Sequence, residues 1–353
     1  MNKFNSYRLS ALPRLNQAVR QLENEWLKEI REEELVPGYL QSVFSLCGQM
    51  NKGLCGSLLL LSNESFGKSE QKLILSLAAC AELLQTTFEI HDSDKEPRQN
   101  SGAPSLYFQI SEILASRGHV RHEIEAGKII HDLKNHLSNW LHERVIKISQ
   151  NLDNFSLCTT FAQYATESLR GQLTETVAST LPTHILPIKD LYASKTGAYV
   201  FCLPMVLGYS LSRCSKNLSQ ELILEVMGEN LGIILQSQAD LFGFSNQPTA
   251  LPTLRTHIIN RQPSLWTAIM LEVLNEGESN FLKKIWKTQL ITDADLYYLR
   301  YLFQKYNIGQ IIKKAVFAES RLCRQLIRDL ELSQESAGLW YSLVDFVENG
   351  LES

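Results

Sequence analysis

Apolar residues recur every three to four positions over much of this chain, which is the spacing of an amphipathic helix. One such run comprises Leu73, Leu77, Ala81, Leu84 and Phe88. No segment shows the alternating pattern with regular turn signals that indicates β-strands. We therefore predict an all-α protein, a helical bundle around a central apolar cavity.

Six further segments are rich in Leu, Ile, Ala, Lys and Glu, and we predict that they are helical. They are residues 20–34, 127–150, 159–176, 265–287, 293–306 and 310–332. The apolar run 200–211 is too short to cross a bilayer and indicates a buried core helix. Pro and Gly concentrate at 97–104, 182–187 and 248–263, where we predict loops. No composition break or repeat divides the chain, so one domain over residues 1–353 is expected.

Composition narrows the class of protein further. The 353 residues are 44% hydrophobic, enough for a sizeable core, and the net charge is −4 with Lys and Arg dispersed along the chain. We therefore expect no nucleic-acid partner. The seven Cys show no Cys-x-x-Cys spacing, which favours reduced thiols. Because the N-terminus lacks an apolar signal core and no transmembrane segment is found, we expect a cytoplasmic protein.

A cluster of carboxylates follows the first helical run. Asp92, Asp94 and Glu96 lie within five residues of one another. If the helix continues this far, Asp92 and Glu96 project from the same side, one turn apart. Carboxylate oxygens are the ligands that Mg²⁺ prefers, so the cluster indicates a magnesium site, with a solvated acidic helix end as the alternative.

Several motifs resemble the trans-isoprenyl diphosphate synthases, in the order in which that family has them. Residues 82–104 resemble its first aspartate-rich region, and Gly102-Ala103-Pro104 closes that segment one residue early. Gly171-Gln172, Ser194–Ala198 and residues 228–241 resemble its Gly-Gln, Lys-Thr and second aspartate-rich segments, and residues 51–67 resemble a weaker N-terminal motif. Each match alone is unspecific. By the ordered set, the chain is identified as a divergent member of this polyprenyl synthetase family.

The resemblance implies an isoprenoid-synthase-type fold and a role in isoprenoid metabolism. It implies Mg²⁺-dependent ionisation of an allylic prenyl diphosphate, in which metal ions stabilise the leaving diphosphate and an apolar pocket protects the carbocation. It also implies a homodimer, or a heterodimer with a related synthase.

Carried over by position, the family's functional residues fall into three groups. The metal ligands would be Asp92, Glu96, Asp240 and, as a further acid of the segment, Asp94. The catalytic residues would be Lys195, Thr196 and Gln236. The diphosphate-binding residues would be Lys195, Arg261, Gln172, Arg98, Lys52 and Gln85. Phe88 would form the floor of the product pocket, with a core aromatic as the alternative.

Departures from the family pattern affect both substrate sites that the resemblance implies, the metal-dependent site for the allylic diphosphate and the site for isopentenyl diphosphate. Ala239 and Gly243 stand where the second region should have metal-binding aspartates, and a replacement ligand could come from water or from Glu225, Glu229 or Asn230. On the isopentenyl diphosphate side, Gly53, Cys55 and the pair Asn100-Ser101 replace arginines. Charge-assisted contacts contribute about 1.5–3 kcal/mol each, so this site should be severely weakened.

Three functions are compatible with this pattern. The first is a terpene synthase or cyclase, or a prenyltransferase with another acceptor, that keeps ionisation. The second is a non-catalytic subunit of an active synthase, and the third is a conventional short-chain prenyl diphosphate synthase. A separate motif, His131 to His136, resembles the phosphoacceptor box of sensor histidine kinases, and with Asp132 and His142 it could also suggest a metal site or a surface helix.

Overall fold

The computed structural model describes residues 2–30, 53–68, 71–93, 105–178, 185–214, 216–288 and 290–350. Within these ranges the regular elements are all helical, as predicted. The α-helices are α1 Lys3–Ile30, α2 Leu54–Ser65, α3 Gln71–Ser93, α4 Leu106–Ser116, α5 His122–Asn151, α6 Ser156–Ala178, α7 Ile185–Tyr192, α8 Leu203–Leu211, α9 Leu218–Phe242, α10 Ala250–Ile259, α11 Leu265–Val273, α12 Glu276–Lys287, α13 Asp293–Lys305, α14 Ile308–Arg328 and α15 Gln334–Glu348. A π-helical segment, Ala193–Cys202, joins α7 to α8.

The chain divides into two compact units, each assembled from separate stretches. The first unit comprises Met1–Asn5, Thr166–Cys202 and Leu218–Ser353, and the second comprises Ser6–Ala165 and Leu203–Asn217. The single domain expected over residues 1–353 stays a prediction.

In the second unit, α2 and α8 pack at very short range. A Cβ on Gly208 would lie 2.3 Å from the carbonyl oxygen of Leu59, so only glycine permits this approach. The hydroxyl of Ser62 donates to the carbonyl of Met205 at 2.6 Å, which satisfies a polar group inside this core. The apolar run 200–211 is buried as predicted, although its first three residues belong to the π-helical segment.

Helix α1 is held against α5 by polar contacts of aromatic residues. The indole of Trp26 donates to Nδ1 of His136 at 2.8 Å, and the indole of Trp140 donates to Glu29 at 2.7 Å. The guanidinium of Arg144 stacks on Trp140 and pairs with Glu29. α1 begins at Lys3, far before the predicted residue 20, and at this start the side chain of Asn2 accepts a hydrogen bond of 3.0 Å from the backbone N–H of Asn5.

Two sequence predictions are corrected in the first unit. The predicted helix 265–287 is two helices, because Asn275 caps α12 and forms a capping box with Glu278. The predicted loop 248–263 contains α10, because Pro252 lies in the first turn of that helix, where a backbone N–H has no intrahelical partner to lose.

Candidate functional site

The π-helical segment of the first unit lies against α6 and α9 at distances that require glycine. A Cβ on Gly171 of α6 would lie 2.6 Å from the backbone nitrogen of Lys195. A Cβ on Gly232 of α9 would lie 2.4 Å from Gly197. π-Helical turns are wider than α-helical ones and occur frequently at functional sites. The glycines therefore hold Lys195 and Thr196 at the place where the three elements meet.

Lys195 is buried, with 7% of its surface exposed, and it is paired with a carboxylate. Its Nζ lies 2.8 Å from Oε2 of Glu175, and its carbonyl accepts a hydrogen bond of 2.8 Å from Ser168. Burial and then the positive charge of Lys195 lower the pKa of His257 to about 4. The imidazole is therefore neutral at pH 7, and Lys195 and Glu175 are the charged pair of this site.

Two of the predicted catalytic residues, Thr196 and Gln236, are in contact with each other. The amide Nε2 of Gln236 donates to the hydroxyl of Thr196 at 2.6 Å, which joins α9 to the π-helical segment. Gln172, next to Gly171 on α6, is 4% exposed, and its Nε2 has no hydrogen-bond partner among the described residues. A buried amide without a partner is expensive, so it requires an explanation.

Asp240 is buried in the protein core, where its carboxylate accepts hydrogen bonds. Its Oδ2 accepts hydrogen bonds from the hydroxyl of Tyr192 at 2.7 Å and from the backbone N–H of Leu265 at 2.9 Å. Leu265 begins α11, so the carboxylate stabilises the start of that helix. Burial raises the pKa of Asp240 to about 7, although hydrogen bonds from Tyr192, Leu265 and Trp266 act in the opposite direction.

The described part of the second aspartate-rich helix does not fit a magnesium site. Mg²⁺ needs ionised oxygens that can reach it in octahedral geometry, whereas Asp240 is 5% exposed and already accepts two hydrogen bonds on Oδ2. Position 239 is Ala. Metal binding by Asp240 stays a prediction, and this geometry argues against it.

The suggested replacement ligands lie too far along the same helix. α9 is continuous from Leu218 to Phe242, so Glu229 is about 15 Å from position 239 along the axis, and Glu225 is further away. The amide of Asn230 donates to the carbonyl of Val226 at 2.6 Å. None of the three can replace an aspartate at position 239.

Among the described residues, the other cation predicted for the diphosphate is Arg261, which follows α10. It is half-buried and has a positive φ of 52°, and its Nη2 lies 3.5 Å from the carbonyl of Lys287. A hydrogen bond to a backbone carbonyl does not neutralise the guanidinium. Arg261 therefore keeps the positive charge that its predicted diphosphate-binding role requires.

In the second unit, the residues expected on the isopentenyl diphosphate side are bonded to each other. The thiol of Cys55, which is fully buried, donates to Oε1 of Gln85 at 2.9 Å. Glu82 is also buried and accepts a hydrogen bond of 2.6 Å from the backbone N–H of Gly56. Phe88 is 4% exposed, which agrees with a core aromatic and with a pocket floor. The pocket-floor role of Phe88 stays a prediction.

The first acidic motif is described only in part. α3 ends at Ser93, so the backbone at Asp92 is helical as expected, but its side chain is not described. Asp94, Glu96, Arg98 and Lys52 lie outside the described residues, as do the loops predicted at 97–104 and, in part, at 182–187. The described residues contain no group of three or more His, Cys, Asp or Glu that could share a metal ion.

The histidines of α5 have separate partners. His131 bonds to Asn135 at 2.9 Å, His136 accepts from Trp26, and His142 bonds to the carbonyl of Ser138 at 2.7 Å. They do not converge, so the alternative metal site suggested by their spacing is not formed by the described residues.

Sequence reasoning missed Glu175 and Tyr192. Both were detectable from spacing: Glu175 follows Gln172 by three residues, and Tyr192 precedes Lys195 by three, so each lies about one helical turn from a predicted residue. Neither was predicted as a site residue, because the partner of each lies on another element of the chain. The partner of Glu175 is Lys195, and the partner of Tyr192 is Asp240.

Comparison with solved structures defines the fold. The chain is similar over 99% of its length to a decaprenyl diphosphate synthase from Rhodobacter capsulatus, with 18% identity, 100% of that chain covered and a TM-score of 0.77. It is also similar to a geranylgeranyl pyrophosphate synthase from Corynebacterium glutamicum complexed with isoprenyl diphosphate and magnesium, with 15% identity, 99% of both chains covered and a TM-score of 0.76. The fold is therefore that of the isoprenoid synthases.

Part of the sequence matches a known protein family. Residues 135–300, just under half of the chain, match the polyprenyl synthetase family, in agreement with the family predicted from the ordered motifs. The matched part includes Gln172, Lys195, Thr196 and Gln236, and the first acidic motif precedes it. Among curated proteins, no sequence matches this chain significantly. None of the described helices is long and apolar enough to cross a membrane.

Proposed function

We propose that this protein acts in isoprenoid metabolism by binding an allylic prenyl diphosphate and ionising it. The observation that supports this most is the contact of the π-helical segment, which carries Lys195 and Thr196, with Gly171 of α6 and with Gln236 of α9, where Gln172 is the residue next to Gly171. Lys195 supplies a buried cation, and the other three supply amide and hydroxyl dipoles. A site of this composition suits an anion next to a carbon that becomes positive.

In the proposed reaction the allylic C–O bond breaks, and its electron pair leaves with the diphosphate. Lys195 and Arg261 stabilise the departing negative charge, and the diphosphate oxygens compete with Glu175 for the ammonium group. The dipoles of Gln172, Thr196 and Gln236 face the allylic cation. The cation then loses a proton, takes up water or alkylates an acceptor.

Magnesium, if it is used, must be bound mainly by the segment of Asp92, Asp94 and Glu96. When bound, it would neutralise oxygens of the leaving group. The second helix offers no fitting ligand set, because position 239 is Ala and Asp240 is hydrogen-bonded in the core. We therefore propose an asymmetric metal site.

Chain elongation with isopentenyl diphosphate is not part of the proposal. Position 55, where the family pattern has an arginine, is a fully buried Cys that is hydrogen-bonded to Gln85. This position therefore supplies no positive charge for the diphosphate of isopentenyl diphosphate. We therefore favour a terpene synthase or cyclase, or a prenyltransferase with another acceptor, over a conventional short-chain synthase.

One observation favours a second candidate, a non-catalytic subunit of an active synthase. Asp240 stabilises Tyr192 and the start of α11, which is a structural use of a position that the resemblance assigned to metal. A protein that keeps the fold without ionising substrate would tolerate this change.

The test is incubation of purified protein with Mg²⁺ and geranyl, farnesyl or geranylgeranyl diphosphate, with and without isopentenyl diphosphate. Released diphosphate and extracted products are measured for the wild type, Lys195→Met, and Lys195→Met with Glu175→Gln, which removes both charges of the pair. Lys189→Met is the control, because Lys189 also pairs with a glutamate, Glu319, at 2.7 Å.

We expect diphosphate release without isopentenyl diphosphate, abolished in both Lys195 variants and kept in the control. A longer diphosphate formed only with isopentenyl diphosphate would indicate a conventional synthase. No turnover by folded protein with any substrate would reject the enzyme and favour the partner subunit.

A further inference from the structure

Helix α14 presents cations and large apolar groups on its exposed side. Its buried side consists of Ile308, Ile312, Val316, Ser320, Cys323 and Ile327, which fixes the orientation of the helix in the first unit. The opposite side exposes Lys313, Lys314, Arg321 and Arg328. Phe317, in the middle of these cations, is 56% exposed.

The cations form a stripe that the linear sequence conceals. At 3.6 residues per turn, Lys314, Phe317, Arg321 and Arg328 lie within an arc of about 60° and extend over about 21 Å of helix, with Lys313 beside them. We expected dispersed Lys and Arg from the sequence. The helix instead brings four of them to one side, and we call residues 313, 314, 317, 321 and 328 the α14 stripe.

Apart from the exposed Asp329 and Glu331 just beyond the end of α14, the acidic groups near the stripe are paired with other cations. Glu319, the one acidic residue within α14, pairs with Lys189 at 2.7 Å. Asp345 and Glu348 of α15 pair with Arg324. No ion pair with a described residue is formed by the four cations of the stripe, so they keep a net positive field facing solvent.

Apolar side chains distinguish between possible anionic partners. Phe317 is exposed among the cations, and Ile311 and Leu322 are exposed further round the same helix. A nucleic-acid backbone gains little from such groups, whereas at a bilayer surface they enter the acyl boundary while Lys and Arg contact anionic headgroups. We propose that the α14 stripe docks the protein on the surface of an anionic lipid bilayer.

The proposal is tested with the full chain by co-sedimentation with vesicles of phosphatidylcholine, with or without phosphatidylglycerol, at low and high salt. We expect binding only to the anionic vesicles, weakened by salt. Each cation near such a surface strengthens binding about fivefold, so Lys314→Glu with Arg321→Glu should reduce binding more than about tenfold. Phe317→Ser should reduce it at both salt concentrations.

Lys283→Glu with Lys287→Glu is the matched control. Both lysines are exposed on α12 of the same unit, and the pair changes the net charge equally while it leaves the α14 stripe intact. Retained binding by this control supports the proposal. Equal loss in both double variants, absence of binding by folded wild type, or binding to a duplex oligonucleotide without binding to vesicles would each overturn it.

Discussion

Gln172 is buried, and the Nε2 donor of its side-chain amide is unpaired among the described residues. It is 4% exposed, and no described residue accepts a hydrogen bond from its Nε2. Leaving a buried amide unpaired costs about 1–3 kcal/mol of folding free energy. Such a cost is expected where a side chain is kept for a ligand, and Gly171, the residue before Gln172, lies against the backbone of Lys195.

We predict that Gln172→Leu lowers the rate of allylic diphosphate ionisation by about tenfold or more while the melting temperature stays equal or rises. Leu has a similar volume and removes the unpaired donor. Turnover and thermal unfolding are measured on the same preparation. Gln163→Leu, at an exposed position of α6, is the control and should change neither quantity. A drop in melting temperature for Gln172→Leu would mean that the amide has a structural partner.

Asp240 should make stability depend on pH in an unusual direction. Its pKa is raised from 3.8 to about 7 in the folded protein. Between these two values the folded state holds a proton that the unfolded state has released. The free energy of unfolding therefore falls as pH rises through this window, by about 1.4 kcal/mol per pH unit from this group.

We predict that Asp240→Asn removes this contribution, because the amide does not titrate. Urea unfolding is measured for both proteins from pH 4 to pH 7, and only their difference is interpreted. His257 contributes with the opposite sign, since its pKa is lowered to about 4, but this contribution is common to both proteins. Parallel stability curves would show that Asp240 is ionised throughout.

At the scale of elements, the π-helical segment depends on close packing by glycine. Gly171, Gly197 and Gly232 allow backbone approaches that a Cβ would prevent. The width of the π-helical turn and these contacts together place Lys195 and Thr196. A change in the packing of α6 or α9 should therefore reach the site even where no functional side chain is altered.

We predict that Gly171→Ala lowers turnover and destabilises the protein by about 1–3 kcal/mol, because its Cβ would overlap the backbone of Lys195. Gly338→Ala is the matched control in α15 of the same unit, where a Cβ would meet nothing within 4 Å. That substitution should stabilise the helix by about 0.5–1 kcal/mol. Urea unfolding and the ionisation assay are the measurements, and equal effects of both changes would contradict the packing argument.

At the scale of the whole molecule, we expect two chains to associate. Phe108 of α4, Ile124 of α5 and Val120 between them are exposed by 42%, 61% and 94%. Large apolar groups clustered on consecutive elements are typical of interaction surfaces. Either a second copy or a related synthase would cover them.

We predict that the wild-type chain has twice the mass of 40.1 kDa in light scattering after size-exclusion chromatography, and that Val120→Glu with Ile124→Glu reduces it to one chain. Leu290→Glu is the control, because Leu290 is exposed but belongs to the other unit. A wild type that is monomeric alone and associates only with an added prenyl synthase would favour the heterodimer.

Much of the fold was predictable from local pattern. The helices around 127–150, 159–176 and 310–332 agree with α5, α6 and α14, because each has a continuous apolar face and few breaks. The errors have specific causes. The cap at Asn275 splits one helix, and proline in a first turn permits α10 within a segment that was predicted as a loop.

The sequence by itself determined the all-helical class and the family match, and it predicted Lys195, Thr196, Gln236 and Gln172 as site residues, since motif order and helical period depend only on local spacing. Tertiary structure decided how these residues are used. It paired Lys195 with Glu175, left Gln172 without a described partner, and buried Asp240 against Tyr192 and α11. The burial of a side chain and its hydrogen-bond partners depend on helices that are far apart in sequence. Those helices decide whether a carboxylate is accessible to a metal ion or hydrogen-bonded in the core.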